Sequence, residues 1–119
     1  MNILLVEDEA SYRTAITKAF ELQGWTVVAV DRADAAIEAI GKQSFDVAVC
    51  DFILPAKDGS TLFEMIHHAA PALAERLLFV TGWAGDAKAR KLLEHTGRPV
   101  MEKPVDLAKL IAAVKKLGE

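Results

Sequence analysis

Little in this chain would cross-link it, anchor it in a membrane or hold nucleic acid. It has a single cysteine, Cys50, so no disulfide framework can form, and the usage fits a cytoplasmic protein. Cys50 lies inside an apolar run, where a free thiol behaves as a small hydrophobe. No apolar run approaches the ~18 residues of a transmembrane helix, so no membrane association is expected. The opening MNILLVEDE lacks a basic n-region and a cleavage site, and does not read as a signal peptide. Cations are in deficit, with 14 Lys and Arg against 17 Asp and Glu, which argues against direct nucleic-acid binding. No G-x-G-x-x-G follows a strand, so a dinucleotide fold is excluded. The three histidines, His67, His68 and His95, lack metal-ligand spacing and read as helix-surface residues.

What is present suits one α/β domain spanning residues 1–119. The length supports one core. An apolar content of 52% is what a sheet covered on both faces requires. Charge is uneven. Residues 1–83 carry 6 Lys and Arg against 12 Asp and Glu, a net −6, whereas residues 84–119 carry 8 against 5, a net +3. The acidic part suggests a cation site, and the basic end either a partner surface or a solvated face.

Apolar runs at 2–6, 25–30, 47–50, 77–80 and 99–101 read as strands, each followed by a helical pattern. The first helix has Tyr12, Ala15, Ile16, Ala19 and Phe20 on one face and stops at Gly24. Asp31 caps a second helix with Ala36, Ile37 and Ile40 inward. Asp58 or Ser60 caps a third, with Leu62, Phe63 and Ile66 inward, which Pro71 breaks. A fourth runs over 86–95 and ends at Gly97. Asp106 caps the last, whose face is Leu107, Leu110, Ile111, Val114 and Leu117. Five β–α pairs imply a parallel sheet with right-handed crossovers and helices on both faces.

The segment 45–59, FDVAVCDFILPAKDG, organises the rest. Its buried strand ends at a carboxylate, Asp51, on the sheet edge where open α/β folds bind ligands. The first strand ends in Glu7-Asp8, the fourth in Thr81 and the fifth in Lys103. Each residue alone has a bland reading. Glu7 and Asp8 suit a helix start, Thr81 a turn, and Lys103 a snorkelling surface position, while Glu9 serves the helix N-terminus. Four strand ends together carry more weight. Clustered carboxylates either raise a pKa or bind a cation. Oxygen-only ligands in this number suit Mg²⁺. Lys103 and Thr81 could then hold two oxygens of a phosphoryl group on Asp51 while the metal holds the third.

With those residues in view, the chain resembles the receiver domain of response regulators in two-component signalling, over essentially its whole length. Glu7-Asp8 matches the family's acidic pair, with Glu where Asp is commoner. Asp51 matches the phosphoacceptor, followed at the family's spacing by Pro55 and Asp58-Gly59. Thr81-Gly82 matches the hydroxyl residue and its small neighbour, and Lys103-Pro104 the lysine and a proline joined by a cis bond. The resemblance implies strand order 2-1-3-4-5, Mg²⁺ dependence, and metal ligation by Asp8, Asp51 and the Ile53 carbonyl, with Glu7 acting mainly through water. It implies a histidine kinase or histidine phosphotransfer protein as donor. Partners, and any homodimer, would use the face of the fourth helix, fifth strand and last helix.

One departure stands out. The family's aromatic three residues before the lysine is Val100 here, with a stiff χ1 and no ring to rotate. The state would then travel through the Thr81-Gly82 loop toward Trp83 and Asp86. Trp83 and Ile53 are bulky apolar neighbours of the site. The alternatives are a phosphate sink, or a turnover phosphatase or phosphotransferase using an aspartyl-phosphate. Enzymes of the latter kind carry a second Asp where this chain has Ile53.

Overall fold

Five short strands, one from each apolar run, pair in register into a single parallel sheet. The computed structural model of the chain describes residues 1–52, 59–82 and 87–119. The strands are β1 (Asn2–Val6), β2 (Thr26–Val30), β3 (Val47–Asp51), β4 (Leu77–Thr81) and β5 (Val100–Glu102), in the order β2-β1-β3-β4-β5. The helices are α1 (Ala10–Glu21), α2 (Ala33–Lys42), α3 (Gly59–Ala69), α4 (Pro71–Ala74), α5 (Ala87–Thr96) and α6 (Leu107–Leu117). Among the described residues, no helix is long and apolar enough to cross a membrane.

The central strands are buried along their whole length because both faces are covered, as their unbroken apolar runs require. Alternate residues feed two cores. Ile3, Leu5, Val47, Val49, Leu78 and Val80 meet Ile16 and Phe20 of α1 and Leu110 and Val114 of α6. Leu4, Val6, Ala48, Cys50, Leu77 and Phe79 meet α2, α3, α4 and α5. Cys50 is fully buried, and desolvation, helped by the neighbouring Asp51 charge, pushes its thiol far above the ordinary range. It is a packing residue.

Several boundaries differ from the sequence reading, each for a local reason. Pro71 does more than end α3. Lacking an N–H, it is tolerated in a first helical turn, and it opens the extra helix α4. Asp31 does not cap α2. Arg32 occupies the N-cap position, and the Asp31 carboxylate is taken by the Arg32 guanidinium at 3.1 Å. Ala15 is exposed, so the inner face of α1 is Ile16 and Phe20 with Tyr12 and Ala19 half-buried. Trp25 precedes β2 and packs on Phe20, ring centroids 5.4 Å apart. Other signals hold. Gly24 and Gly97 take φ of 85° and 68° beyond their helices, a conformation that costs side-chain-bearing residues dearly. Asp106 caps α6, accepting from the backbone N–H of Ala108 at 2.9 Å and of Lys109 at 3.2 Å. Asp58, Pro55, Trp83, Gly85 and Asp86 lie outside the described residues.

These packing differences set a stability order. Leu110→Ala, at the centre of one core, should cost about 2–5 kcal/mol. Asp106→Ala should cost about 1 kcal/mol through the lost cap. Leu22→Ala, at the most exposed large hydrophobe among the described residues, should change stability by less than about 0.5 kcal/mol. Urea unfolding midpoints of the three variants test the ranking.

Candidate functional site

Strand register decides which side chains meet. Val6 of β1 lies level with Cys50 of β3, so the next residues, Glu7 and Asp51, end side by side. Asp51 is level with Val80, and Thr81 with Glu102, so Lys103 follows one step past Thr81. The Lys103 backbone N–H donates to the Thr81 carbonyl at 2.9 Å, which ties the two strand ends together. The Lys103-Pro104 peptide bond is cis, as the resemblance implied.

The Lys103 ammonium is the hub. Its Nζ lies 2.9 Å from Glu7 Oε1, 3.3 Å from Asp51 Oδ2 and 3.7 Å from Glu9 Oε1, and 4.5 Å above the centre of the Tyr12 ring. The Lys103 side chain is only 10% exposed. Burial alone would lower its pKa. The hydrogen bond to Glu7 and the charges of Asp51 and Glu7 outweigh that and hold it above its ordinary value of 10.5. Lys103 is therefore a cation throughout the neutral range.

Glu7 is buried and held on all sides. Its backbone N–H donates to the Val30 carbonyl, and its Oε2 accepts from the Glu9 backbone N–H, both at 3.0 Å. Arg13 Nη1 donates to the carbonyls of Glu7 at 3.0 Å and Asp8 at 3.4 Å, fixing the turn between β1 and α1. Glu7, Asp8 and Asp51 each offer a carboxylate oxygen within 4.8 Å of the others. Among the described residues, Glu7, Glu9 and Asp51 converge on the ammonium of Lys103, while the Arg13 guanidinium is engaged by the backbone carbonyls of Glu7 and Asp8. Glu7, Asp8 and Asp51 offer oxygen donors, and a hard divalent cation such as Mg²⁺ fits them.

Thr81 is the exception to the convergence. It is fully buried, and its hydroxyl has no hydrogen-bond partner among the described residues. Side chains alternate along β4, so Thr81 follows Phe79 onto the face covered by α3 and α5. Lys103, Glu7 and Asp51 lie on the α1 face, where Tyr12 meets Lys103. The strand-end residues Glu7, Asp8, Asp51 and Lys103 are thus assembled, while Thr81 stands ready on the other side of the same edge. Ile53 lies outside the described residues.

Three further participants were not picked out from the sequence. Glu9 is the N-cap residue of α1, yet its side chain makes no cap bond and turns to Lys103 instead. Tyr12 read as part of an apolar face. The available signal was helical spacing, since Tyr12 and Arg13 stand three and four residues after Glu9 and so rise over the same end of the sheet.

The chain can now be set beside known proteins. A family described as "Response regulator receiver domain" matches residues 3–115. The chain is 32% identical over 119 residues to the sensor kinase CckA of Brucella abortus (strain 2308), covering 98% of this chain but 12% of that protein's length. It is 29% identical over 115 residues to the response regulator receiver protein CpdR of the same organism, covering 97% of this chain and 94% of CpdR. A solved CheY-like receiver domain protein from Methanospirillum hungatei JF-1 superposes with a TM-score of 0.87 at 26% identity, over 98% of this chain and 92% of that one. Sheet order, strand-end chemistry and these likenesses agree, and the chain belongs to the response regulator receiver domain family of two-component systems.

Proposed function

We propose that residues 1–119 form one phosphoacceptor switch, in which a phosphoryl group passes from a phosphohistidine of a histidine kinase or histidine phosphotransfer protein to Asp51. The observation that carries this reading is the contact at 3.3 Å between a buried strand-end carboxylate, Asp51, and the largely buried cation Lys103. In the transfer, an Asp51 carboxylate oxygen attacks phosphorus and an O–P bond forms. The P–N bond breaks, and the donor imidazole leaves with the electron pair. No general base is needed, because a carboxylate is already the anionic nucleophile. Lys103 answers the charge on the phosphoryl oxygens. Among the described residues the Thr81 hydroxyl has no hydrogen-bond partner, and a phosphoryl oxygen at the strand edge would supply an acceptor.

Glu7, Asp8 and Asp51, with the Ile53 carbonyl, would hold Mg²⁺. A bound ion would supply positive charge beside the Asp51 carboxylate. The domain accepts a group and is read as no turnover enzyme. Its place is the cytoplasm, and its output partner or second copy docks on the face of α5, β5 and α6, where the local charge is basic.

Phosphorylation is tested by intact mass after incubation with acetyl phosphate and Mg²⁺. One phosphoryl group should add to the wild type and none to Asp51→Asn. Lys103→Met should slow the addition on the order of 10²-fold. A full adduct on Asp51→Asn would refute the assignment.

The metal is tested by thermal melts. Mg²⁺ at ten times its dissociation constant should stabilise the wild type by about 1.4 kcal/mol. In metal-free buffer, Asp8→Asn should itself be more stable by about 0.2–1 kcal/mol, because one repelling carboxylate is gone, and should lose the Mg²⁺ response. Equal Mg²⁺ responses in the two proteins count against the site.

Switching is tested by NMR with beryllofluoride as the phosphoryl mimic. Shifts are expected across residues 82–90 as well as around Asp51. Shifts confined to Asp51 and its immediate neighbours would favour a phosphate sink.

A further inference from the structure

Lysine is a flexible, strongly hydrated cation, so an ammonium that must face one carboxylate has to be held there. Glu7 makes the shortest contact with Lys103, but Glu7 also belongs to the carboxylate cluster that a divalent cation draws upon. Glu9 is 57% exposed and 3.7 Å away, so solvent screens its pull. Both are anions, and both oppose a phosphoryl group arriving at Asp51. Tyr12 is different. Its ring centre is 4.5 Å from Lys103 Nζ, inside the ~6 Å range of a cation–π contact. The ring is half-buried and packs against the core built on Ile16, Phe20 and Leu110. It is neutral, gives no ligand to the cation at that face, and leaves the charge of Lys103 uncancelled.

We infer that Tyr12 is a positioning residue for phosphoryl transfer, its ring face being the support that, alongside the Glu7 contact, keeps the Lys103 ammonium over Asp51. This rests on the reading of Asp51 as the phosphoacceptor. The ring orders Lys103 without competing for it, so it serves both before and after the phosphoryl group arrives. A leucine at residue 12 keeps the apolar contact with the core and removes the π face. A phenylalanine keeps both.

The test is the phosphorylation rate with acetyl phosphate and Mg²⁺, read by intact mass. Tyr12→Leu should slow it by about three- to thirtyfold, the range a cation–π contact spans, and Tyr12→Phe should restore it. In the Lys103→Met background, Tyr12→Leu should cost nothing further, which a general packing defect would not reproduce. A readout without metal is the rate of reductive methylation of Lys103, followed by peptide mass spectrometry. It should rise in Tyr12→Leu and stay at the wild-type rate in Tyr12→Phe. Tyr12→Met replaces Tyr12→Leu if the latter melts at low temperature. A wild-type rate in Tyr12→Leu or Tyr12→Met overturns the inference, as does an equal loss in Tyr12→Phe. A wild type that takes no phosphoryl group overturns the reading of Asp51, a failure distinct from that of Tyr12.

Discussion

The Lys103 ammonium, set among carboxylates from the ends of two strands and the start of a helix, is the interaction on which the rest of the site depends. It is a buried charge, tolerable only because Glu7, Asp51 and the Tyr12 ring surround it. The converse holds as well. Glu7 is almost wholly buried and would be an uncompensated anion without Lys103. Among the described residues, three carboxylates share this one ammonium. Carboxylates gathered this closely repel one another. The surrounding cores bear the cost. Two layers of apolar side chains, one on each face of the sheet, hold the strand ends in register whatever occupies them.

How much of this could be read from the sequence follows from what kind of signal each feature leaves. Strands buried on both faces leave continuous apolar runs, and the polar residue that ends each run marks the functional edge. Asp51, Thr81 and Lys103 could therefore be located before any geometry was known. Strand order came only through resemblance, because periodicity does not say which strands are neighbours. Three details left no usable mark. Asp31 has the chemistry of a cap, but its carboxylate found Arg32 one residue away. Pro71 reads equally as a stop and as a first helical residue, and it is both. Tyr12 sits at a core-facing period, and periodicity cannot tell a ring that only fills space from a ring that also faces a cation.

Glu9 makes the same point from the other side. Sequence reasoning puts an acid at that position for the helix dipole, and Glu9 does occupy the N-cap. Its side chain nevertheless leaves the helix N–H groups and lies near Lys103. The carboxylate is mostly exposed and 3.7 Å from the ammonium, so the contact is a solvent-screened one that takes the place of a cap bond. Local propensity fixed the residue's place on the chain, and tertiary electrostatics fixed where its charge went.

The two faces of the sheet meet the site through different residues, and this bears on how a bound phosphoryl group would be felt. Lys103 reports to the α1 and α6 face, where Tyr12 packs into the core with Phe20 and Leu110. Thr81 belongs to the other face, beside the layer of α3 and α5, and among the described residues its hydroxyl has no partner. On that second face the ring that receivers carry on the last strand is absent, and Val100 packs against the core in its place. A valine there is stiff at χ1 and has no ring to rotate. Among the described residues, the aromatic side chain in contact with a strand-end charge is Tyr12 on α1. A displacement of Lys103 toward Asp51 would change the ring contact directly, whereas a movement of Thr81 has to be taken up by the backbone that follows it.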